Sequence, residues 1–128
     1  RFKFLGLRHD IPSIMAALDV LVVPSVNEGM GRVVLEAGAA GTPCIAANVG
    51  GLPEVVLDGQ TGIIVPSRDP KAIAEAIKRL VDAPERLKAY ADAAKDFVVP
   101  DFSLENMVQL IEQLYETLIK EKNLESRR

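Results

Sequence analysis

Short apolar runs alternate with helix-patterned stretches from the start of the chain to Val65, and this alternation limits the fold more than any other feature. Strand-length runs separated by helical patterns are βα units, which lay their strands side by side in a parallel sheet with helices packed on its faces. Residues 2–5 are a candidate strand ended by Gly6. Residues 11–18 read as a short helix, with Asp10 as N-cap and Pro12 in its first turn. Residues 19–23 are apolar on both faces, as expected of a strand covered on two sides, and Pro24 ends them. Past the loop at 25–31, residues 32–40 form a helix rich in small residues and closed by Gly41. Residues 43–47 are a strand, 48–51 a turn, 52–57 a short helical segment, 58–61 a second turn and 62–65 the last strand.

Beyond Asp69-Pro70, an N-cap followed by an N1 proline, the pattern is helical throughout. Ile73, Ile77 and Leu80 recur at helical spacing and mark a buried stripe. Pro84 opens a helix carrying Leu87, Tyr90, Ala91 and Ala94. Ser103 caps a longer one whose apolar face is Met107, Leu110, Ile111, Leu114 and Leu118. The charged tail at 120–128 is expected to fray. The reading is an α/β, Rossmann-like parallel sheet with flanking helices. Because the chain opens on Arg1 and directly on a strand-like run, it reads as the later part of a longer protein.

Charge removes one class of partner. Fifteen Lys and Arg against eighteen Asp and Glu leave a net −3, so there is no dense basic face with which to displace nucleic-acid counterions. Any bound phosphate must be held by a local device. No apolar run reaches membrane-spanning length, and no signal-peptide pattern is present. Cys44, the single cysteine, excludes an intramolecular disulfide and reads as a small buried hydrophobe. A reducing, cytoplasmic setting is compatible with it.

Such a local device is visible between residues 24 and 51. A strand leads into a loop with two glycines, and a helix starts directly beyond it. Gly29 and Gly31 let the backbone approach a ligand closely. The first turn of the helix offers unpaired N–H groups and partial positive charge, which together suit a phosphate. Glu28 precedes this turn and Glu36 follows it eight positions later, leaning back toward it as helical side chains do. Carboxylates are good acceptors for sugar hydroxyls, so two acids flanking an anion pocket suit a ligand with hydroxyls on both sides of a phosphate. Acids at loop ends also serve as caps or solvated surface, and that reading stands beside the first.

The segment from Glu28 to Ala37 (EGMGRVVLEA) resembles the signature of family 4 of the retaining glycosyltransferases, group 1, whose fold is called GT-B. The resemblance extends to FLG at 4–6, ALDVLVVPS at 17–25, AGTPCI at 40–45, GGLPEV at 50–55, Asp58-Gly59, TGIIVP at 61–66 and Phe102-Ser103. It implies a partial C-terminal, donor-binding domain over 1–128, with the first βα units absent and with them the family's Arg and Lys that neutralise the diphosphate. Cys44 stands where the family usually has Val. By the resemblance, Glu28 contacts hydroxyls of the transferred sugar, and the backbone of Gly29, Met30 and Gly31 lies along the sugar and the nearer phosphate. The amides of Arg32 and Val33 hold the diphosphate, Glu36 accepts both ribose hydroxyls, and Gly6 and Leu7, with Arg8, border the nucleobase.

The implied activity is transfer of a glycosyl group from a nucleoside-diphosphate sugar with retention of configuration. Glu28 is the candidate catalytic residue; no metal or other cofactor is expected, since the chain has no Asp-x-Asp pair. The acceptor is expected on an N-terminal domain outside these residues, and the 128 residues alone are expected not to turn over. A full-length protein peripheral to a membrane is left open. An uncovered sheet edge suggests self-association, with a dimer as the simplest form. Two other classes remain: a donor-binding or scaffold module without turnover, and a sugar-nucleotide epimerase of the same two-domain fold. His9, Arg8 and Arg32 have surface readings, and Gly50, Gly51 and Glu54 have two, as caps of the segment at 52–57, which is preferred, and as ligand contacts.

Overall fold

A computed structural model describes residues 1–122. Elements follow in the order α1 (Ile11–Ala16), β1 (Leu21–Val23), α2 (Arg32–Ala39), β2 (Cys44–Ala47), α3 (Leu52–Val55), β3 (Gly62–Val65), α4 (Pro70–Val81), α5 (Pro84–Asp101) and α6 (Leu104–Glu121). The three strands form one parallel sheet in chain order, β1-β2-β3, with Leu21 opposite Cys44 and Cys44 opposite Gly62.

Alternation along the strands sorts the core into two layers. Val23, Cys44, Ala46 and Ile64 meet Val34, Leu52 and Val55 from α2 and α3. Ile45, Ile63 and Val65 meet Ala76 and Leu80 from α4, with Leu87 and Tyr90 of α5 alongside. β2 lies between its two neighbours and is buried along its whole length, which explains an all-apolar strand with no polar face. α5 reaches both layers: beyond Tyr90, its Ala94 and Val98 pack against Gly38 of α2. Thr42, buried between α2 and β2, donates from Oγ1 to the Met15 carbonyl at 2.6 Å and ties α1 to this layer.

The capping chemistry at Asp69 and Ser103 is as the sequence indicates. Asp69 accepts from the amides of Lys71 and Ala72, and Ser103 accepts from Asn106. Five expectations are corrected. Residues 2–5 are not a strand: they join no ladder, and Phe2 and Phe4 are almost wholly exposed, because an extended segment becomes a strand only where a neighbour pairs with it. Asp10 stands at the N-cap position of α1, but its side chain makes no capping bond; its carboxylate is held instead by the Arg8 guanidinium, Nε to Oδ1 2.8 Å, which lowers the Asp10 pKa. β1 is shorter than its apolar run, beginning at Leu21, and α1 ends at Ala16. Lys120 and Glu121 continue α6, so the tail does not begin at 120; residues 123–128 of that tail lie outside the described residues. No helix among the described residues is long and apolar enough to cross a membrane.

Candidate functional site

The candidate site gathers at the carboxyl ends of β1 and β2, where open α/β sheets bind ligands. β1 ends at Val23, and the chain turns through Pro24 to Met30 before α2. Gly31 makes the entry. It takes a left-handed conformation, φ 74 and ψ 46, as the residue that caps α2, and the fully buried Leu52 packs against it closely enough that a Cβ on Gly31 would sit 2.6 Å from Leu52 Cδ2. No L side chain suits both the dihedral and the space. Val34 N–H then turns back to the Gly31 carbonyl at 2.9 Å. The amides of Arg32 and Val33 come before it and have no intrahelical partner, so the helix presents free donors and its positive dipole end at the loop.

Glu28 is partly buried in that loop and accepts a hydrogen bond from Ser25 Oγ at 3.2 Å. Glu36 lies on the exposed side of α2, away from the buried Val34 and Ala37. It borders a groove of about 450 Å³ walled by Ile11, Pro12 and Ala16 of α1 and by Ala39 and Ala40. Arg32 is exposed and makes no ion pair among the described residues. Met30 is exposed and borders a second cleft of about 360 Å³, shared with Gly29, Gly51, Glu54, Val55 and Phe102. Two clefts are thus present, one bordered by Glu36 and one by Met30.

Glu28, Gly29, Met30, Gly31, Arg32 and Val33 are brought together by one loop and one helix start, with Glu36 on the same helix. Gly6 and Leu7 are not drawn in. They sit in an exposed irregular segment, and neither makes a hydrogen bond to the loop among the described residues. Arg8 is engaged with Asp10, and His9 is exposed. No group of three His, Cys, Asp or Glu side chains among the described residues is placed to hold a metal ion.

Sequence reasoning missed the second floor of the site. Gly51 does stand at the N-cap position of α3, as read, but Gly50 and Gly51 also support the loop: Gly51 N–H donates to the Gly29 carbonyl at 2.8 Å. The available signal was a glycine pair two residues beyond an all-apolar strand, at the same end of the sheet as the first loop.

Residues 1–83 match the model of the family described as glycosyl transferases group 1. The chain is 48% identical over 84 residues to the D-inositol 3-phosphate glycosyltransferase of Corynebacterium diphtheriae, covering 64% of this chain and 20% of that protein. It is 36% identical over 115 residues to the glycogen synthase of Mycobacterium tuberculosis, covering 88% and 28%. Among solved structures, Anabaena Alr3699/HepE in complex with UDP superposes with a TM-score of 0.80 at 33% identity, over 92% of this chain and 32% of that one. The chain therefore spans between a fifth and a third of the length of these proteins.

Proposed function

Since the chain belongs to the group 1 glycosyl transferases, we propose that it supplies the donor-binding part of an enzyme that transfers a glycosyl group from a nucleoside-diphosphate sugar with retention of configuration. The observation that carries this reading is the left-handed Gly31 opening α2, with free amides at Arg32 and Val33 between two glutamates. Neutral amides and a helix dipole hold a diphosphate even in a chain of net charge −3. Glu36 and the groove beside it take the nucleoside end, with the carboxylate accepting the ribose hydroxyls. Glu28 accepts from hydroxyls of the transferred sugar, and Gly29, Met30 and Gly31 follow the sugar and nearer phosphate with their backbone. Gly6 and Leu7 border the nucleobase once the first segment is seated. In support, Anabaena Alr3699/HepE has been solved with UDP and with UDP-glucose.

Catalysis on this reading rests on stabilising the departing diphosphate at the start of α2, with no divalent metal. EDTA leaving transfer intact is the expected result; abolition by EDTA with recovery on adding magnesium would count against it. The acceptor is held by parts of the protein beyond these residues. The 128 residues by themselves are proposed to bind donor weakly without turnover, and to self-associate through the open edge of β1. Sugar transfer by a strictly monomeric 128-residue chain on a sizing column would overturn both.

The test of the site is a pair of substitutions in the full-length protein. Glu36→Ala removes a charge-assisted hydrogen bond, which typically costs ~1.5–3 kcal/mol, so calorimetry should show nucleoside-diphosphate affinity falling by roughly ten- to a hundredfold. Glu28→Gln should leave that affinity within a few fold and reduce kcat. Unchanged nucleotide affinity in Glu36→Ala would remove the ribose role. The anomeric configuration of the product, read by NMR, decides retention.

A further inference from the structure

The turn from β2 into α3 meets the backbone of the loop that carries Glu28 at two glycines, and the next side chain packs on the start of α2. Gly50 lies against Glu28, Gly51 against Gly29, and Leu52 against Gly31. Gly50 holds φ +51, and a Cβ there would overlap the Glu28 carbonyl oxygen. Gly51 has an ordinary φ of −82, so its backbone does not require glycine. Its space does: a Cβ would stand 2.5 Å from the Gly29 oxygen and 3.3 Å from Met30 Cα. The Gly51 N–H donates to that same oxygen at 2.8 Å.

The two sides of this contact are unequally anchored. The turn is fixed to the core, because Asn48 N–H donates to the Val65 carbonyl and Leu52 is fully buried. The loop has few ties of its own. Among the described residues, positions 26–30 make only the Ser25 bond to the Glu28 carboxylate and the Gly51 bond to the Gly29 carbonyl. Rigid turn and lightly held loop meet at two carbonyls, one of them that of Glu28 itself.

We propose that Gly50 and Gly51 are positioning residues, which set the height and direction at which the Glu28 carboxylate is presented to the sugar. The proposal rests on the role given to Glu28 above. Bulk at either glycine lifts the loop while leaving α2 seated by Val34 and Ala37, so the nucleotide end of the site stays in place. A displacement of about 1 Å at a reacting group can cost ~100-fold in rate.

The test uses Gly51→Ala and Gly50→Ala in the full-length protein, with Gly41→Ala as control. Gly41 is equally left-handed, φ +77, but nothing lies within 4 Å of its Cβ position, so it carries the backbone strain without touching the loop. Both loop variants should lose ten- to a hundredfold in kcat, with nucleoside-diphosphate affinity by calorimetry within threefold. Amide resonances of Glu28, Gly29 and Met30 should shift in ¹⁵N spectra while those of β2 stay. Gly51→Ala, with no dihedral conflict, covers the case in which Gly50→Ala fails to fold. Affinity falling in step with kcat, the same kcat loss in Gly41→Ala, or unmoved loop resonances would each overturn the proposal. Shifted resonances with undiminished transfer would uphold the clamp and overturn the role of Glu28 instead.

Discussion

Cys44 shows how much a single buried side chain can report. It sits at the start of the central strand with 2% of its surface exposed, and burial pushes its thiol pKa from 9.0 up to about 12. Between those values the unfolded chain has released the proton and the folded chain retains it. The unfolded state binds fewer protons there, so stability falls as pH rises from about 9 toward 12, at up to about 1.4 kcal/mol per pH unit from this group. Lysines and tyrosines titrate in the same range, so the measurement is a difference: urea unfolding of Cys44→Ala against the parent, from pH 8 to 11. The variant, less stable at pH 8, should close part of the gap at pH 11; a constant gap would mean that the thiol titrates freely in the fold. The same burial makes Cys44 slow toward thiol reagents under native conditions. Its buried, inert character was legible from its neighbours Pro43 and Ile45 alone, because a small apolar residue inside an apolar run has one natural place to go.

At the level of elements, the parts that sequence exposes are those whose causes are local. Asp69 before Pro70 announces α4, and its carboxylate does accept from two amides of the first turn. Asp69→Ala should cost ~1 kcal/mol, read as a lower urea midpoint with unchanged slope. β2, β3 and α2 were legible to within a residue or two for the same reason. Residues 2–5 were not, since their apolar alternation states a preference for a ladder without saying whether a neighbour is present. The meeting of Gly50 with Glu28 was also hidden: the two loops lie 22 positions apart, and only the sheet register brings them together. Gly38 gives a sharper case. A Cβ there would lie 2.7 Å from Val98 Cγ2, and overpacking of this kind costs ~1–3 kcal/mol, while replacing a mid-helix glycine by alanine returns ~1 kcal/mol. Overpacking wins. Gly38→Ala is expected to be destabilising on its own, and less so when combined with Val98→Ala, which opens the space; strict additivity of the two would show that the helices adjust without strain.

Across the whole molecule, most helices are bound into the two-layer core and α6 is not. Its eighteen residues include Leu110, Leu114 and Tyr115, all more than half exposed, and it has no buried residue. Its sequence shows an apolar face; what the face meets is a matter of tertiary structure that no periodicity reveals. Within the core, α5 packs on both α2 and α4 and so touches both layers of the sheet, and that arrangement has a consequence in time. Strands that lie in the order of the chain pair through short crossovers, so the sheet from Leu21 to Val65 needs no long loop closure. Contact between Val98 and Gly38 closes a loop of sixty residues and can form only after both partners have a surface to offer. Sheet formation should therefore set the rate of folding, and the seating of the second half of α5 should follow it. Val98→Ala is expected to steepen the unfolding rate while leaving the refolding limb of the chevron unmoved. Equal slowing of refolding would put α5 in the nucleus and make it the clasp that starts the fold, not the one that fastens it.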